Sequence, residues 1–131
     1  MIFRRKTIAI VEDEADTAEM FSEMMRLNGY EVVQAASGSQ AISQIASTKP
    51  DLVVMDLMLP EISGMEVIQQ MQRDPSMRHI PVVIVSARSM MADIQAGLDA
   101  GAISYLTKPV SYSDLLAAIQ NALGRSSPST S

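Results

Sequence analysis

The sequence predicts a doubly wound α/β domain, a five-stranded parallel sheet with helices on both faces. Two observations carry that class. Short β-branched runs alternate five times with segments of helical period, a (βα)5 rhythm. The runs VVM and VVIV lack the polar alternation of a strand with one wet face, so they read as strands covered on both sides.

The first strand is read at Thr7 to Val11, followed by a helix in which Met20, Phe21, Met24 and Met25 hold the i, i+4 arc and Gly29 supplies the C-cap. Tyr30 to Gln34 forms the second strand, and Ala41, Ile42 and Ile45 mark its helix. After the third strand, Leu52 to Met55, Ser63 with Glu66 reads as a capping box opening the helix of Val67, Ile68 and Met71. Pro81 stands at the entrance to the fourth strand, Val82 to Val85, where a missing N–H costs least. Met91, Ile94 and Leu98 give the fourth helix its apolar arc. The fifth strand is read at Ala102 to Leu106. Its helix carries Leu115, Leu116, Ile119 and Leu123 behind a capping box of Ser111 and Asp114.

At 131 residues, 47% apolar and 19% charged, the chain suits one domain with a proper core and excludes disordered or collagen-like classes. No apolar run approaches the roughly 20 residues of a membrane span. The start MIFRRK lacks the apolar region of a secretory signal, so a cytoplasmic location is expected. Absence of cysteine excludes disulfides, cysteine zinc sites and thiol nucleophiles, and a single histidine, His79, cannot build a metal cluster. The net charge of −5 leaves no footprint for nucleic acid, and Arg4, Arg5 and Lys6 read as a solvated end, so direct DNA binding is not expected. Most of the methionines read as core filler, with Met90 and Met91 as candidates for an adaptable contact surface.

In such sheets the ligand crevice lies beyond the carboxyl ends of the strands. Glu12 and Asp13 end the first strand, Asp56 the third and Ser86 the fourth, and Lys108 follows the fifth. Taken singly, a strand-end carboxylate caps a helix, a lysine before Pro109 is a surface residue, and Pro60 and Gly64 punctuate a turn. Their coincidence at successive strand ends predicts a site. Three converging carboxylates repel one another and raise some pKa values unless a cation joins them. All-oxygen ligands favour a hard ion, Mg²⁺ or Mn²⁺, completed by waters and a phosphoryl oxygen. Lys108 is expected to stand opposite, without a partner until a phosphoryl group arrives. Asp56 then becomes the nucleophile, carrying phosphate as a mixed anhydride.

From Thr7 to about Gly124 the chain resembles the receiver domain of two-component response regulators. VEDE supplies the acidic pair, DLMLPEISG matches the D-x-x-x-P-x-x-x-G of the phosphoacceptor loop, VSAR carries a switch hydroxyl, and SYLTKP an aromatic followed by Lys-Pro. The resemblance implies a flavodoxin-like fold with strand order 2-1-3-4-5. It also implies that Asp56 accepts a phosphoryl group from a phosphohistidine on a histidine kinase or histidine phosphotransfer protein. Asp13, Asp56 and the backbone carbonyl of Met58 would hold Mg²⁺, with Glu12 acting through water. Ser86 and Lys108 would each take a phosphoryl oxygen, and the peptide bond before Pro109 would be cis. Two positions depart from the pattern: Ser86 stands where threonine is common, and Glu12 replaces an aspartate.

Tyr105, three residues before Lys108, is the candidate switch aromatic. If Ser86 moves toward the phosphoryl group, a neighbouring ring can fill the vacated space. The face of helix 4, strand 5 and helix 5, with Met90, Met91 and Tyr112 on or near it, is then the expected surface for a partner or a homodimer. Among rivals, a phosphohydrolase of the haloacid dehalogenase type needs a second acid two residues after the nucleophile, where Met58 stands. An FMN module needs a Ser/Thr/Gly-rich loop where EDEADT stands, and a pseudo-receiver docking module is disfavoured because the site residues are intact. The receiver unit is assigned to 1–124, with 125–131 as a flexible tail or the start of a linker.

Overall fold

The computed structural model describes residues 4–126. Five strands and five helices alternate: β1 (Thr7–Val11), α1 (Ala15–Leu27), β2 (Glu31–Ala35), α2 (Gly38–Thr48), β3 (Leu52–Met55), α3 (Gly64–Arg73), β4 (Val82–Ser86), α4 (Met91–Asp99), β5 (Ser104–Thr107) and α5 (Tyr112–Ser126). All pairings are parallel, in the order β2-β1-β3-β4-β5. The predicted class and strand order are therefore those of the structure. Helix α5 runs two residues beyond the boundary assigned at 124, and residues 127–131 of the assigned tail lie outside the described residues.

Strand parity builds two cores. Ala9, Val11, Val53, Met55, Val82 and Ile84 point to one face, where they meet Ala41 and Ile45 of α2 and Val67, Ile68 and Met71 of α3. Ile8, Ile10, Leu52, Val54, Val83 and Val85 point to the other and meet Phe21 and Met25 of α1 with Leu115 and Ile119 of α5. Both faces of β1, β3 and β4 are dry, which is why these runs show no polar alternation.

Three strands run one residue beyond the reading, β2 to Ala35, β4 to Ser86 and β5 to Thr107, and two strand starts differ, each because a helix end claims the residue. Gly29 N–H bonds to the Arg26 carbonyl and Tyr30 N–H to the Met25 carbonyl, a Schellman closure of α1 with Gly29 at φ 87°. Tyr30 is thereby spent on the cap, and β2 begins at Glu31. Likewise Ala102 N–H bonds to the Gly97 carbonyl behind α4, so β5 begins at Ser104. Ser63 and Ser111 do cap α3 and α5, their hydroxyls accepting from Glu66 N–H and Asp114 N–H.

Helix α4 departs further. Its apolar arc is not seated as a whole: Met91, a candidate contact residue, is 84% exposed, Leu98 is 39% exposed, and Gly97 is the one fully buried residue. A Cβ on Gly97 would stand 2.7 Å from Ile84 Cδ1 and 2.9 Å from Tyr105 Cδ2. The helix therefore seats on the sheet through Gly97, which turns Met91 and Leu98 outward while Ile94 stays half-buried.

Candidate functional site

The carboxyl ends of β1, β3, β4 and β5 meet at one mouth. Asp56 follows β3 directly, and its N–H extends the ladder to the Val11 carbonyl at 3.0 Å, while Glu12 N–H does the same to Ala35 on the other side of β1. Strand continuity thus fixes both acids before any side-chain contact forms. Gly64 lets the loop after Asp56 fold back, for a Cβ there would lie 2.3 Å from the Asp56 carbonyl oxygen.

Glu12 and Asp56 are buried and Asp13 is exposed; each offers a carboxylate oxygen, and the three lie within 4.8 Å of one another. Lys108 closes the group: its Nζ donates to Glu12 Oε1 at 2.8 Å and to Asp56 Oδ2 at 2.9 Å. The expectation of an unpartnered lysine is therefore corrected. Two carboxylates desolvated at the strand ends draw in the nearest cation, and the cis Lys108–Pro109 peptide lies directly beside it.

Burial pushes the Glu12 carboxyl above its ordinary value, against the opposing pull of the Lys108 and Glu14 N–H hydrogen bonds; the charge of Asp56 adds less. Desolvation, more than carboxylate repulsion, is thus the main cause. For Lys108 burial acts downward, but hydrogen bonds to Glu12 and Asp56 and their charges outweigh it and hold the ammonium above its ordinary value.

The other acceptor of Asp56, Oδ1, takes the N–H of Met58 at 3.0 Å, so the loop residue two positions on is tied to the acid itself. Ser86 is fully buried at the end of β4, and its Oγ accepts from Arg88 N–H at 3.2 Å. Tyr105 is half-buried, with its ring against the face formed by α2, α3 and α4, and its hydroxyl donates to the Arg88 carbonyl at 2.7 Å. Arg88, not singled out in the sequence, is thus held by both Ser86 and Tyr105. The signal for the first contact was present, since a serine can accept from the N–H two residues on in any loop; the second required the fold. Tyr112 is corrected too: its hydroxyl pairs with Asn28 at the end of α1, placing that ring on the α1 side of α5.

Lined at the carboxyl ends by three acids, a lysine and a buried hydroxyl, this sheet is that of a signalling receiver module. A family model described as the response regulator receiver domain matches residues 8–120. The polar-differentiation response regulator DivK of Brucella ovis is 35% identical over 119 residues, covering 91% of this chain and 97% of that protein. A response regulator from Chloroflexus aurantiacus has a similar structure, with TM-score 0.89 and 34% identity over 93% of this chain and all of that one. The receiver domain of a sensor histidine kinase from Pseudomonas aeruginosa matches with TM-score 0.85 and 27% identity over 92% and 99% of the two chains, and that structure has a magnesium ion coordinated in its active-site cleft. This chain belongs to the response regulator receiver domain family, the signalling phosphoacceptors of two-component systems. Among the described residues, no helix is long and apolar enough to cross a membrane.

Proposed function

We propose that the chain accepts a phosphoryl group on Asp56 from a phosphohistidine of a histidine kinase or histidine phosphotransfer protein, and that the resulting change controls a partner. The observation that carries this reading is the junction of Lys108 with Asp56 and Glu12 at the mouth of the sheet, beside the exposed Asp13. An Asp56 carboxylate oxygen attacks phosphorus as the P–N bond breaks, and the imidazole leaves with the electron pair. An apolar cavity of about 350 Å³ lined by Thr17, Met20, Phe21, Pro109 and Val110 also reaches Lys108, giving a donor protein footing next to the acceptor.

The acidic trio suits a hard divalent cation, because its donors are all oxygens and one of them stays open to solvent. Asp13, Asp56 and the Met58 carbonyl would hold Mg²⁺ or Mn²⁺, with Glu12 joining through water. Bound there, the ion offsets the charge that phosphate brings. Lys108 transfers its hydrogen bonds from the carboxylates to a phosphoryl oxygen, and Ser86 Oγ takes another. The chain assists its own phosphorylation and later hydrolysis, without turning over a separate substrate. Met91 and Leu98, turned outward on α4, support α4, β5 and α5 as the surface for the partner or a homodimer. A phosphohydrolase is the weaker reading, because Met58 carries no carboxylate at the position where that chemistry needs an acid.

The test is intact mass after treatment with acetyl phosphate and Mg²⁺. One hydroxylamine-sensitive adduct is expected in the parent and none in Asp56→Asn; equal labelling of the two removes Asp56 as acceptor.

A further inference from the structure

Within the five loops at the carboxyl end of the sheet, the basic side chains are Lys108 and Arg88. Lys108 is already shared between two carboxylates. The backbone of Arg88 is fixed on both sides, by Ser86 Oγ at its N–H and by the Tyr105 hydroxyl at its carbonyl. Its guanidinium is not: the side chain is 55% exposed and meets Asp93 of α4 at 3.9 Å, the outer limit of an ion pair and a geometry that contributes little. A cavity of about 210 Å³ opens beside it. Arg88, Asp93 and Ala96 form one wall, and Leu57 and Ser63 of the loop after Asp56 with Met65 of α3 form the other.

We propose that Arg88 is a second phosphoryl-binding cation, which exchanges Asp93 for the oxygens of an incoming anionic phosphodonor. The proposal rests on Asp56 being the phosphoacceptor. Glu12, Asp13, Glu14, Asp56 and Glu61 surround the mouth with negative charge, which an anionic donor must overcome. Lys108 alone is offset by its two partners. A guanidinium anchored two residues from Ser86 supplies the missing attraction, and its planar fork suits two phosphoryl oxygens at once. Asp93 then acts as the competing ligand. Once released, Asp93 is left in the first turn of α4, where the N-cap residue Met90 makes no side-chain cap hydrogen bond and an acid complements the exposed N–H groups.

Two small donors separate this role from a structural one: acetyl phosphate, and phosphoramidate, which carries less negative charge. Labelling rates with Mg²⁺ are followed by intact mass in the parent, Arg88→Ala, Arg88→Lys, Asp93→Asn and Asp56→Asn, each at low and high salt. Arg88→Ala is expected to slow acetyl phosphate labelling about three- to fivefold, to slow phosphoramidate labelling less, and to flatten the salt dependence. Arg88→Lys keeps most of the rate, and Asp93→Asn raises it with Arg88 intact. Labelling that depends on Asp56 but is unchanged in Arg88→Ala, or lowered equally for both donors, overturns the role of Arg88 alone. Label that survives Asp56→Asn overturns the acceptor assignment and this proposal with it.

Discussion

Lys108 Nζ and Asp56 Oδ2 stand 2.9 Å apart, joining residues separated by 52 positions in the chain. The same ammonium reaches Glu12 at 2.8 Å, so one cation offsets two buried carboxylates. Removing it leaves both acids without their counter-charge. Lys108→Met is therefore expected to fold but to lose about 1–3 kcal/mol, less than a fully buried pair because the lysine side chain remains 24% exposed. Mg²⁺ should restore part of that loss, since the ion replaces the missing charge. Urea unfolding in EDTA and in Mg²⁺ checks both; equal stability of mutant and parent in EDTA denies the lysine this role.

Titration of Lys108 and Glu12 gives slopes of the same sign at the two ends of the pH range, each group making stability fall as pH rises. Lys108 is held above 10.5 in the folded chain, so its contribution is complete below that value and is lost as pH rises through the higher folded pKa. Glu12 is raised above 4.5, so in the window just above 4.5 the folded state binds more protons than the unfolded one, and this group makes stability fall as pH rises. Denaturation in EDTA should accordingly show an alkaline loss in the parent that is missing in Lys108→Met, and an acid-side slope that is missing in Glu12→Gln. Profiles shared by parent and mutants would assign both slopes to other groups.

Asp13 differs from its neighbours in being exposed, and it is the acid a hydrated ion can reach first. Asp13→Asn should weaken Mg²⁺ binding by roughly tenfold or more, the scale of loss seen even for outer-shell changes, with slower phosphorylation in step. Calorimetric titration with Mg²⁺ reads the first and intact mass the second. An unchanged isotherm removes Asp13 from the ligand set.

How much of this was legible depended on range. The five strands, their burial on both faces and the gathering of Glu12, Asp13, Asp56, Ser86 and Lys108 follow from local runs and from the rule that ligands meet at the carboxyl ends. The strand starts at Glu31 and Ser104 were missed because Tyr30 is β-prone and Ala102 adjoins a β-prone run, while both serve helix closures. Met91 was legible as a contact residue, but the outward turn of Leu98 was hidden because periodicity gives an apolar arc without saying which residue touches the sheet; that is decided by the space beside Gly97. Nor could spacing reveal that Lys108 already has partners, which is a matter of side-chain reach across two strands.

Helix α2 ends on a residue whose backbone resists its side chain. Lys49 has φ 50°, in the left-handed region where a Cβ is disfavoured, and its N–H closes the helix on the Ile45 carbonyl. Lys49→Gly keeps that hydrogen bond and removes the steric cost, against some loss of chain entropy and of a favourable charge at the helix end. A net gain of about 0.5–1 kcal/mol is expected, read as a higher urea midpoint at unchanged slope. A lower midpoint would mean that the lysine charge outweighs the backbone term.

The last prediction joins Ser86 to Tyr105 through Arg88. In the structure the Ser86 hydroxyl accepts from Arg88 N–H while the Tyr105 hydroxyl donates to the Arg88 carbonyl, so one peptide segment senses both side chains. Drawing Ser86 toward a phosphoryl oxygen would reorient that hydroxyl and weaken its hold on Arg88. The Arg88 carbonyl would then shift, and Tyr105, whose ring lies against Gly97 of α4, would lose its hydroxyl partner. Burial of the ring already holds its phenol above the ordinary value, so a change of surroundings has a direct spectroscopic reading. Such coupling moves a two-state element through contacts that differ between the states. In NMR spectra the Tyr105 ring signals are expected to shift on adding a fluoroberyllate mimic of phosphate with Mg²⁺ in the parent, and to shift much less in Ser86→Ala. Tyr105→Phe should leave Asp56 labelling intact while uncoupling α4 from it, seen as smaller fluoroberyllate-induced shifts at Met91 and Leu98. A ring that responds identically in parent and Ser86→Ala would reduce Tyr105 to packing beneath α4, with its hydroxyl bond to Arg88 a static tie.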